Sequence, residues 1–110
     1  MQIDILYLNG CPNHVLTTEM VRDVVRTLGL DATIREVEVR DAEEAARVRF
    51  FGSPTVQVNG QDVDPAARNR VDYSFSCRMY GRSGSPPRSL VEQALREDVS
   101  RRTGLKGAPA

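Results

Sequence analysis

Residues 3–16 read IDILYLNGCPNHVL, and this stretch decides the predicted fold. Its opening residues are mostly apolar and branched, which predicts a short buried strand. Asn9-Gly10 then breaks the strand, and Pro12 suits the first turn of a helix because its missing N–H is not needed there. Cys11 is therefore predicted at a strand–helix junction. The unpaired N–H groups and the positive end of the helix dipole favour a thiolate at that position.

The residues that follow predict an alternation of helix and strand. Apolar side chains recur at helical spacing over residues 14–28, with charged residues on the opposite face. Residues 32–39 predict a second strand, and Asp41 followed by Glu44 predicts a capping box that opens a second helix. The order strand, helix, strand, helix favours a right-handed crossover between two parallel strands.

The second half of the chain predicts a hairpin and a last helix. Residues 50–64 read FFGSPTVQVNGQDVD, in which alternating valines flank Asn59-Gly60, a strong two-residue hairpin signal. A proline-led helix with one apolar face closes the domain. We expect a single domain over residues 1–99 and a flexible tail over residues 100–110, which offer little to bury.

Composition limits the classes of function. A chain of 110 residues with 40% apolar and 27% charged residues is typical of one globular domain. The formal net charge of zero argues against a nucleic-acid partner. No apolar run approaches the roughly 20 residues that span a bilayer, and the N-terminus does not resemble a signal peptide. We therefore expect no membrane partner and a cytoplasmic location, where two cysteines are more often redox-active, metal-binding or inert than bridged.

The predicted class is α/β, with a mixed sheet in the order βαβα-ββ-α and an insertion before the last helix. With Cys11 at the first strand–helix junction, this order is thioredoxin-like. The motifs GCPNH, FFGSPTVQVNGQDVD and SCRMYG, with the proline-led helix after them, resemble a small bacterial group of thioredoxin-like proteins over about residues 3–97. That group is catalogued as DF-family (seleno)proteins or thioredoxin family proteins, and some relatives are labelled alkylmercury lyase.

The resemblance implies chemistry at two positions. In the group, the position matching Cys11 can be selenocysteine, which implies chalcogen redox chemistry there. Thioredoxin-like proteins hold a cis-proline against the active-site sulfur, and the matching residue is Pro54 in GSPT. The dipeptide alone favours the trans form, since only roughly 5–6% of such bonds are cis in folded proteins.

Two interpretations of Cys11 stay open, an inert buried cysteine and a reactive thiol. His14 occupies the fourth position of what would be a Cys-x-x-Cys motif, so Cys11 needs a monothiol route or a distant partner. His14 could stabilise a thiolate or donate a proton, or it could simply face solvent. This position is often tryptophan in the resembling group, which gives His14 no family role. Two cysteines and one histidine fall short of a closed zinc site.

Cys77 lies in the stretch VDYSFSCRMY, residues 71–80, where apolar and polar residues alternate. One interpretation is an additional strand with Cys77 buried on its apolar face. The other follows from topology, because residues 65–84 must start near Cys11, so that the two sulfurs could meet. A disulfide would need Cα atoms within roughly 7 Å. In that arrangement, we expect an apolar lid over the edge, formed by the aromatic residues Tyr73, Phe75 and Tyr80.

Charged residues near Cys77 also have two interpretations each. Arg78 could stabilise a thiolate or bind an anionic substrate, or it could be a solvated surface charge. Asp62 and Asp64 fall on or after the returning strand of the hairpin. Asp64 could approach the Cys11 edge, and ordinary turn chemistry before Pro65 explains both carboxylates as well.

The leading functional prediction is a thiol-dependent oxidoreductase that acts without a cofactor on a small thiol, disulfide or peroxide, or on a protein thiol. Cys11 is the nucleophile, Cys77 the possible resolving thiol, and backbone groups of Ser53-Pro54 position the substrate. One alternative is a module that binds a soft metal ion or processes an organomercurial through Cys11 and Cys77. Another is a redox-inert thioredoxin-like adaptor that contacts its partner through residues 65–84.

Overall fold

The computed structural model describes residues 1–81 and 83–103. Within these ranges the chain forms a mixed α/β fold of four strands and three α-helices. In chain order the elements are β1 (Gln2–Tyr7), α1 (His14–Thr27), β2 (Thr33–Glu38), α2 (Ala42–Arg47), β3 (Thr55–Val58), β4 (Gln61–Asp62), a 3₁₀ turn (Pro65–Ala67) and α3 (Arg88–Thr103). The predicted order of strands and helices is confirmed.

The four strands form one mixed sheet in the order β2-β1-β3-β4. Strand β1 pairs in parallel with β2, from Gln2 opposite Thr33 to Tyr7 opposite Glu38, as the predicted crossover requires. On its other side β1 pairs antiparallel with β3, which pairs antiparallel with β4. The site-bearing loops after β1 and before β3 therefore lie side by side at one end of the sheet.

Two apolar clusters cover the two faces of the sheet. Since side chains alternate along a strand, Ile3 and Ile5 point to one face and Leu6 to the other. The larger cluster joins β1 and β3 to α1 and α3, through Ile3, Ile5, Val21, Val24, Val56, Val58, Val63, Val91, Ala94 and Leu95. The smaller cluster packs α2 and the residues after it on the opposite face, through Leu6, Val39, Ala45 and Phe50.

Local signals in the sequence are confirmed at two turns. The Asp41 carboxylate accepts a hydrogen bond of 2.7 Å from the Glu44 N–H, which caps α2 as predicted. Asn59 and Gly60 have φ of +49° and +85°, the left-handed backbone that a tight hairpin needs at both central residues. The Asn59 side chain also donates to the Asp98 carboxylate at 2.8 Å, which ties the hairpin to α3.

The C-terminal helix extends past the predicted boundary of the domain. It runs through Thr103, so residues 100–103 of the predicted tail are helical, and residues 104–110 lie outside the described residues. None of the helices in the described ranges is long and apolar enough to cross a membrane.

The interpretation of residues 71–80 as an additional strand is wrong, because the segment forms no strand. Its apolar residues Val71, Phe75 and Met79 are 79%, 45% and 64% exposed, and Cys77 is exposed rather than buried. The segment makes only isolated bridges, at Cys77 and at Tyr80. Its pairing with the neighbouring loop is confined to Ser53, two residues before β3 begins.

Candidate functional site

Cys11 lies in a tight turn between β1 and α1. Its N–H donates to the Leu8 carbonyl at 3.0 Å, and its carbonyl accepts from the His14 N–H at 3.4 Å. Helix α1 begins at His14 with Asn13 as its N-cap, so Pro12 lies before the first helical turn and not in it. The Cys11 side chain is half-buried. The strand–helix junction is confirmed, but Cys11 lies two residues before the N-cap Asn13 and not directly before the first helical turn, as expected.

Ser53 connects this turn to the loop that enters β3. Its hydroxyl accepts a 3.0 Å hydrogen bond from the Leu8 N–H, and its side chain is almost completely buried. The Ser53–Pro54 peptide bond is cis, as the resemblance implies. The Cys11 turn and the Ser53-Pro54 loop therefore meet at one edge of the molecule.

The 74–80 segment runs along the same loop. The Ser53 N–H donates to the Ser76 carbonyl at 2.8 Å, and the Ser53 carbonyl accepts from the Arg78 N–H at 3.0 Å. These two bonds form a parallel bridge between Ser53 and Cys77. The topological prediction that this part of the chain returns to the Ser53-Pro54 edge is thus confirmed.

The same contacts correct the role predicted for the Ser53-Pro54 backbone. Both polar backbone groups of Ser53 are paired with the 74–80 segment. The Pro54 carbonyl accepts a 2.6 Å hydrogen bond from the Tyr80 hydroxyl, and proline has no N–H to offer. The protein's own chain therefore occupies the groups that were expected to position a substrate.

Gly52 makes this close approach sterically acceptable. A Cβ on Gly52 would lie 2.9 Å from the Arg78 Cβ and 3.0 Å from the Arg78 nitrogen. Its φ of +112° is also a backbone conformation that residues with side chains rarely adopt. A glycine is needed here for both reasons.

Arg78 is buried, which corrects its interpretation as a solvated surface charge. Its guanidinium forms a two-pronged pair with the buried Asp62, with N–O distances of 2.7 and 3.2 Å, and lies 3.8 Å from Asp64. Burial alone would lower the pKa of Arg78, but the hydrogen bond with Asp62 and the nearby acidic groups raise it, so the residue stays charged. The guanidinium anchors the segment from inside and does not face a substrate.

The predicted aromatic lid is only partly present. Tyr80 covers Pro54 and stacks on Arg78, whose guanidinium carbon lies 4.4 Å from the ring centroid. Burial raises the pKa of the Tyr80 hydroxyl well above its ordinary value. Tyr73 packs instead on Phe51, with ring centroids 5.0 Å apart. Phe75 is exposed, so it does not belong to a closed lid.

His14 is held by neighbours on β1 and β2. Its ring stacks on Tyr7 at a centroid distance of 3.6 Å, and its Nε2 lies 2.6 Å from a Glu36 carboxylate oxygen. The contact is close but does not meet hydrogen-bond geometry, since Nε2 has no hydrogen-bond partner within the part of the chain that the structure describes. The side chain is only 16% exposed, which corrects the solvent-facing interpretation. These contacts orient the imidazole toward Tyr7 and Glu36 and offer no support for a role at the thiol.

The two cysteines are free thiols. Cys11 is half-buried and Cys77 is exposed, and they are not bonded to each other. Residues 1–81 and 83–103 contain no group of three or more His, Cys, Asp or Glu side chains that could hold a metal ion.

The sequence interpretation did not anticipate Ser53 as the common contact of both cysteine-bearing segments, nor the pairing of Arg78 with Asp62. The two charged residues are sixteen positions apart, so no local spacing links them. Gly52, directly before Ser53-Pro54, is the sequence signal that could have indicated the close contact with the 74–80 segment. A glycine ahead of a buried loop often marks a close backbone approach.

Comparison with known protein families, with curated proteins and with solved structures found no match to this chain.

Proposed function

We propose that this chain is a thiol-dependent oxidoreductase of thioredoxin-like architecture, with Cys11 as its nucleophile. The observation that carries the proposal is the double contact of Ser53. Its hydroxyl accepts from Leu8, in the turn that positions Cys11, and its backbone pairs with the residues on both sides of Cys77. One buried residue thus keeps both cysteine-bearing segments at the same edge of the sheet.

The arrangement of elements supports the thioredoxin-like assignment. The sheet order β2-β1-β3-β4, with α1 and α3 on one face and α2 on the other, follows from the predicted order of strands and helices. Cys11 follows the first strand and Pro54 precedes the third strand. This combination is what the resemblance implies for a redox site.

The proposed reaction begins with attack of the Cys11 thiolate on one sulfur of a substrate disulfide. A Cys11–substrate disulfide forms, the substrate S–S bond breaks, and the departing sulfur leaves as a thiolate that takes a proton from water. With a peroxide, the Cys11 sulfur takes one oxygen to become a sulfenic acid, and the other oxygen leaves as an alcohol or water. Attack by Cys77 on the Cys11 sulfur would then form a Cys11–Cys77 disulfide, releasing the second half of the substrate as a thiol from the mixed disulfide, or water from the sulfenic acid. An external dithiol or two monothiols would reduce this disulfide and restore both cysteines.

The exposed apolar side chains that lie near the two cysteines in the sequence favour an apolar or protein substrate. Four of the five large apolar side chains that are exposed in the described ranges lie within five residues of a cysteine, namely Val15, Leu16, Phe75 and Met79. Because the Ser53-Pro54 backbone is already paired, these side chains are the available contacts for a substrate. The cytoplasm, where thiols stay reduced, is the location that fits this reaction.

A second candidate is capture of a soft metal ion by the two thiolates. Both cysteines are free, and their segments share the Ser53 contact, so two sulfur ligands could converge without a third protein ligand. This candidate uses the same residues without electron transfer.

The test is to treat the protein with one equivalent of a small disulfide or of hydrogen peroxide and to locate the products by peptide mass spectrometry. The wild type is expected to form a Cys11–Cys77 disulfide, and Cys77→Ser to accumulate an adduct or sulfenic acid on Cys11. Cys11→Ser is expected to react much more slowly. An adduct confined to Cys77 would contradict the proposal. Free thiols in all samples, together with tight one-to-one binding of mercuric ion that needs both cysteines, would favour metal capture instead.

A further inference from the structure

Two adjoining cavities lie on the face of the sheet that α2 covers. The smaller has a volume of about 50 Å³ and the larger about 460 Å³. They share four lining residues, Arg49, Gln57, Gly60 and Gln61, so they form one continuous depression. Thiol chemistry at Cys11 makes no use of this surface.

Arginines dominate the lining of the depression, although the whole chain carries no formal net charge. Two aspartates also line it, but both are neutralised by arginines: Asp4 accepts from Arg35 at 2.9 Å and Asp62 from Arg78 at 2.7 Å. The lining arginines are Arg35, Arg47, Arg49, Arg68 and Arg70. Four of these arginines pair with carboxylates, Arg35 with Asp4 and the other three with acidic residues outside the lining, so Arg49 carries the excess positive charge that favours an anionic ligand.

Arg49 is the central residue of this surface. It follows the C-cap of α2 with a φ of +59°, at a position where glycine is usually preferred. Gln57 donates to the carbonyls of Val48 and Arg49, which fixes this backbone. Among the described residues the Arg49 side chain makes no hydrogen bond or ion pair. A strained arginine without a partner is a reason to look for a ligand.

Arg68 and Arg70 line the smaller cavity, and their guanidinium groups are only partly used by partners among the described residues. Each pairs with a carboxylate that does not line it, Glu97 for Arg68 and Asp72 for Arg70. Arg68 donates from Nη2 to Glu97 and from Nε to the Asp62 carbonyl, and Arg70 donates from Nε and Nη2 to Asp72. The Nη1 of each arginine has no hydrogen-bond partner within the described ranges. Phe51 and Tyr73 form an aromatic wall of the same cavity.

We propose that the smaller cavity binds one oxyanion, the phosphate or carboxylate group of a small molecule, with Arg49, Arg68 and Arg70 as its hydrogen-bond donors. Its volume corresponds to roughly three to five water molecules, which suits one such group and excludes a nucleoside. The larger cavity receives the rest of the molecule. Guanidinium groups suit this role because their donors match carboxylate and phosphate geometry.

The test measures binding of inorganic phosphate, phenyl phosphate, succinate and a short oligouridine to the full chain, at an ionic strength held constant with sodium chloride. Amide shifts in ¹⁵N–¹H spectra locate the ligand, and calorimetry gives its affinity. Arg49→Asn removes the charge while keeping a residue that accepts a left-handed backbone. Arg22→Asn is the matched control, because Arg22 is an exposed arginine on α1, over the other face of the sheet.

We expect saturable shifts at residues 49, 57, 61 and 70, and an affinity at least about tenfold weaker in Arg49→Asn, as for loss of one hydrogen bond to a charged group. Arg22→Asn should bind like the wild type. Saturation by the phosphates alone, or by succinate alone, supports the proposal and identifies the anion. Three results would overturn it: no saturable binding by any probe, an equal loss in both variants, or tighter binding of a short oligouridine at the same residues.

Discussion

Ser53 lies beside Cys77 in a parallel bridge, donating its N–H to the Ser76 carbonyl and accepting from the Arg78 N–H. The bridge closes the Ser53-Pro54 loop with the protein's own chain. It also brings Cys77, which is far from Cys11 in sequence, to the loop that holds the Cys11 turn. Unfolding free energies measure the stability of this contact, and alkylation rates measure the reactivity of the two thiols.

Gly52→Ala is expected to destabilise the protein by about 2–4 kcal/mol, since the new Cβ combines an unfavourable backbone with a steric clash. The clash is with Arg78, whose Cβ would lie 2.9 Å away. The control is Gly29→Ala, at a φ of +65° with no atom within 4 Å of its Cβ, which should cost only about 1 kcal/mol. Urea unfolding measures both free energies. Equal losses of unfolding free energy in Gly52→Ala and Gly29→Ala would show that the 74–80 segment does not pack closely against Gly52.

Arg78→Met is expected to cost about 3–5 kcal/mol, because it leaves Asp62 buried without its partner. Asp62 is only 5% exposed. The double variant Arg78→Met, Asp62→Leu should recover part of that loss, since it removes the uncompensated charge as well. A control at the exposed Arg26–Asp23 pair, Arg26→Gln, should lose less than about 1 kcal/mol. A double variant that is less stable than Arg78→Met alone would contradict a coupled buried pair.

Tyr80→Phe is expected to flatten the loss of stability at alkaline pH. Burial raises the pKa of Tyr80 in the folded state above its ordinary value near 10. The folded state therefore holds this proton more tightly than the unfolded state does. The contribution of the protonated Tyr80 to the free energy of unfolding is complete below about pH 10 and is lost as the pH rises above it. Near neutral pH the variant should lose about 1 kcal/mol, because the Pro54 carbonyl loses its partner.

Unfolding free energies measured from neutral to strongly alkaline pH test this expectation, with Tyr73→Phe as the control. Tyr73 packs on Phe51 and no hydrogen bond of its hydroxyl is found in the described ranges, so its variant should keep the alkaline decline of the wild type. An unchanged decline in Tyr80→Phe would mean that another group causes it.

His14→Gln is expected to destabilise the protein by about 1 kcal/mol through the loss of the stack on Tyr7. It should leave the alkylation rate of Cys11 unchanged, because the imidazole is held against Tyr7 and Glu36. Tyr7→Leu removes the same stack but keeps the imidazole. Like His14→Gln, it should lose about 1 kcal/mol of stability and leave the alkylation rate of Cys11 unchanged. If Cys11 is alkylated more slowly in His14→Gln but at the wild-type rate in Tyr7→Leu, His14 has a role at the thiol.

Local signals predicted most of the fold. The helix expected over residues 14–28 runs from His14 to Thr27, because its apolar spacing agrees with its packing against the sheet. Asp41 caps the second helix, and Asn59-Gly60 forms the hairpin turn. Each of these features depends on residues within a few positions of one another, so the sequence pattern contains the necessary information.

The candidate site was predicted less completely, because its contacts join distant parts of the chain. Alternation over residues 71–80 indicated a half-buried strand, but the segment pairs at one position only, and Phe75 and Met79 stay exposed. Arg78 is drawn inward by a carboxylate sixteen residues away. Periodicity describes which side chains share a face, but it does not say whether a neighbouring strand is present to cover that face.

The relative alkylation rate of the two cysteines is the most direct test of Cys11 as the nucleophile. Exposure alone favours Cys77, because Cys77 is exposed and Cys11 is half-buried. Activation of Cys11 at the strand–helix junction favours the reverse order. With limiting iodoacetamide and peptide mass spectrometry, we expect Cys11 to react faster in the native protein and the two thiols to react alike in urea. Faster alkylation of Cys77 in the native protein, with Cys11 no quicker than in urea, would contradict the proposed function.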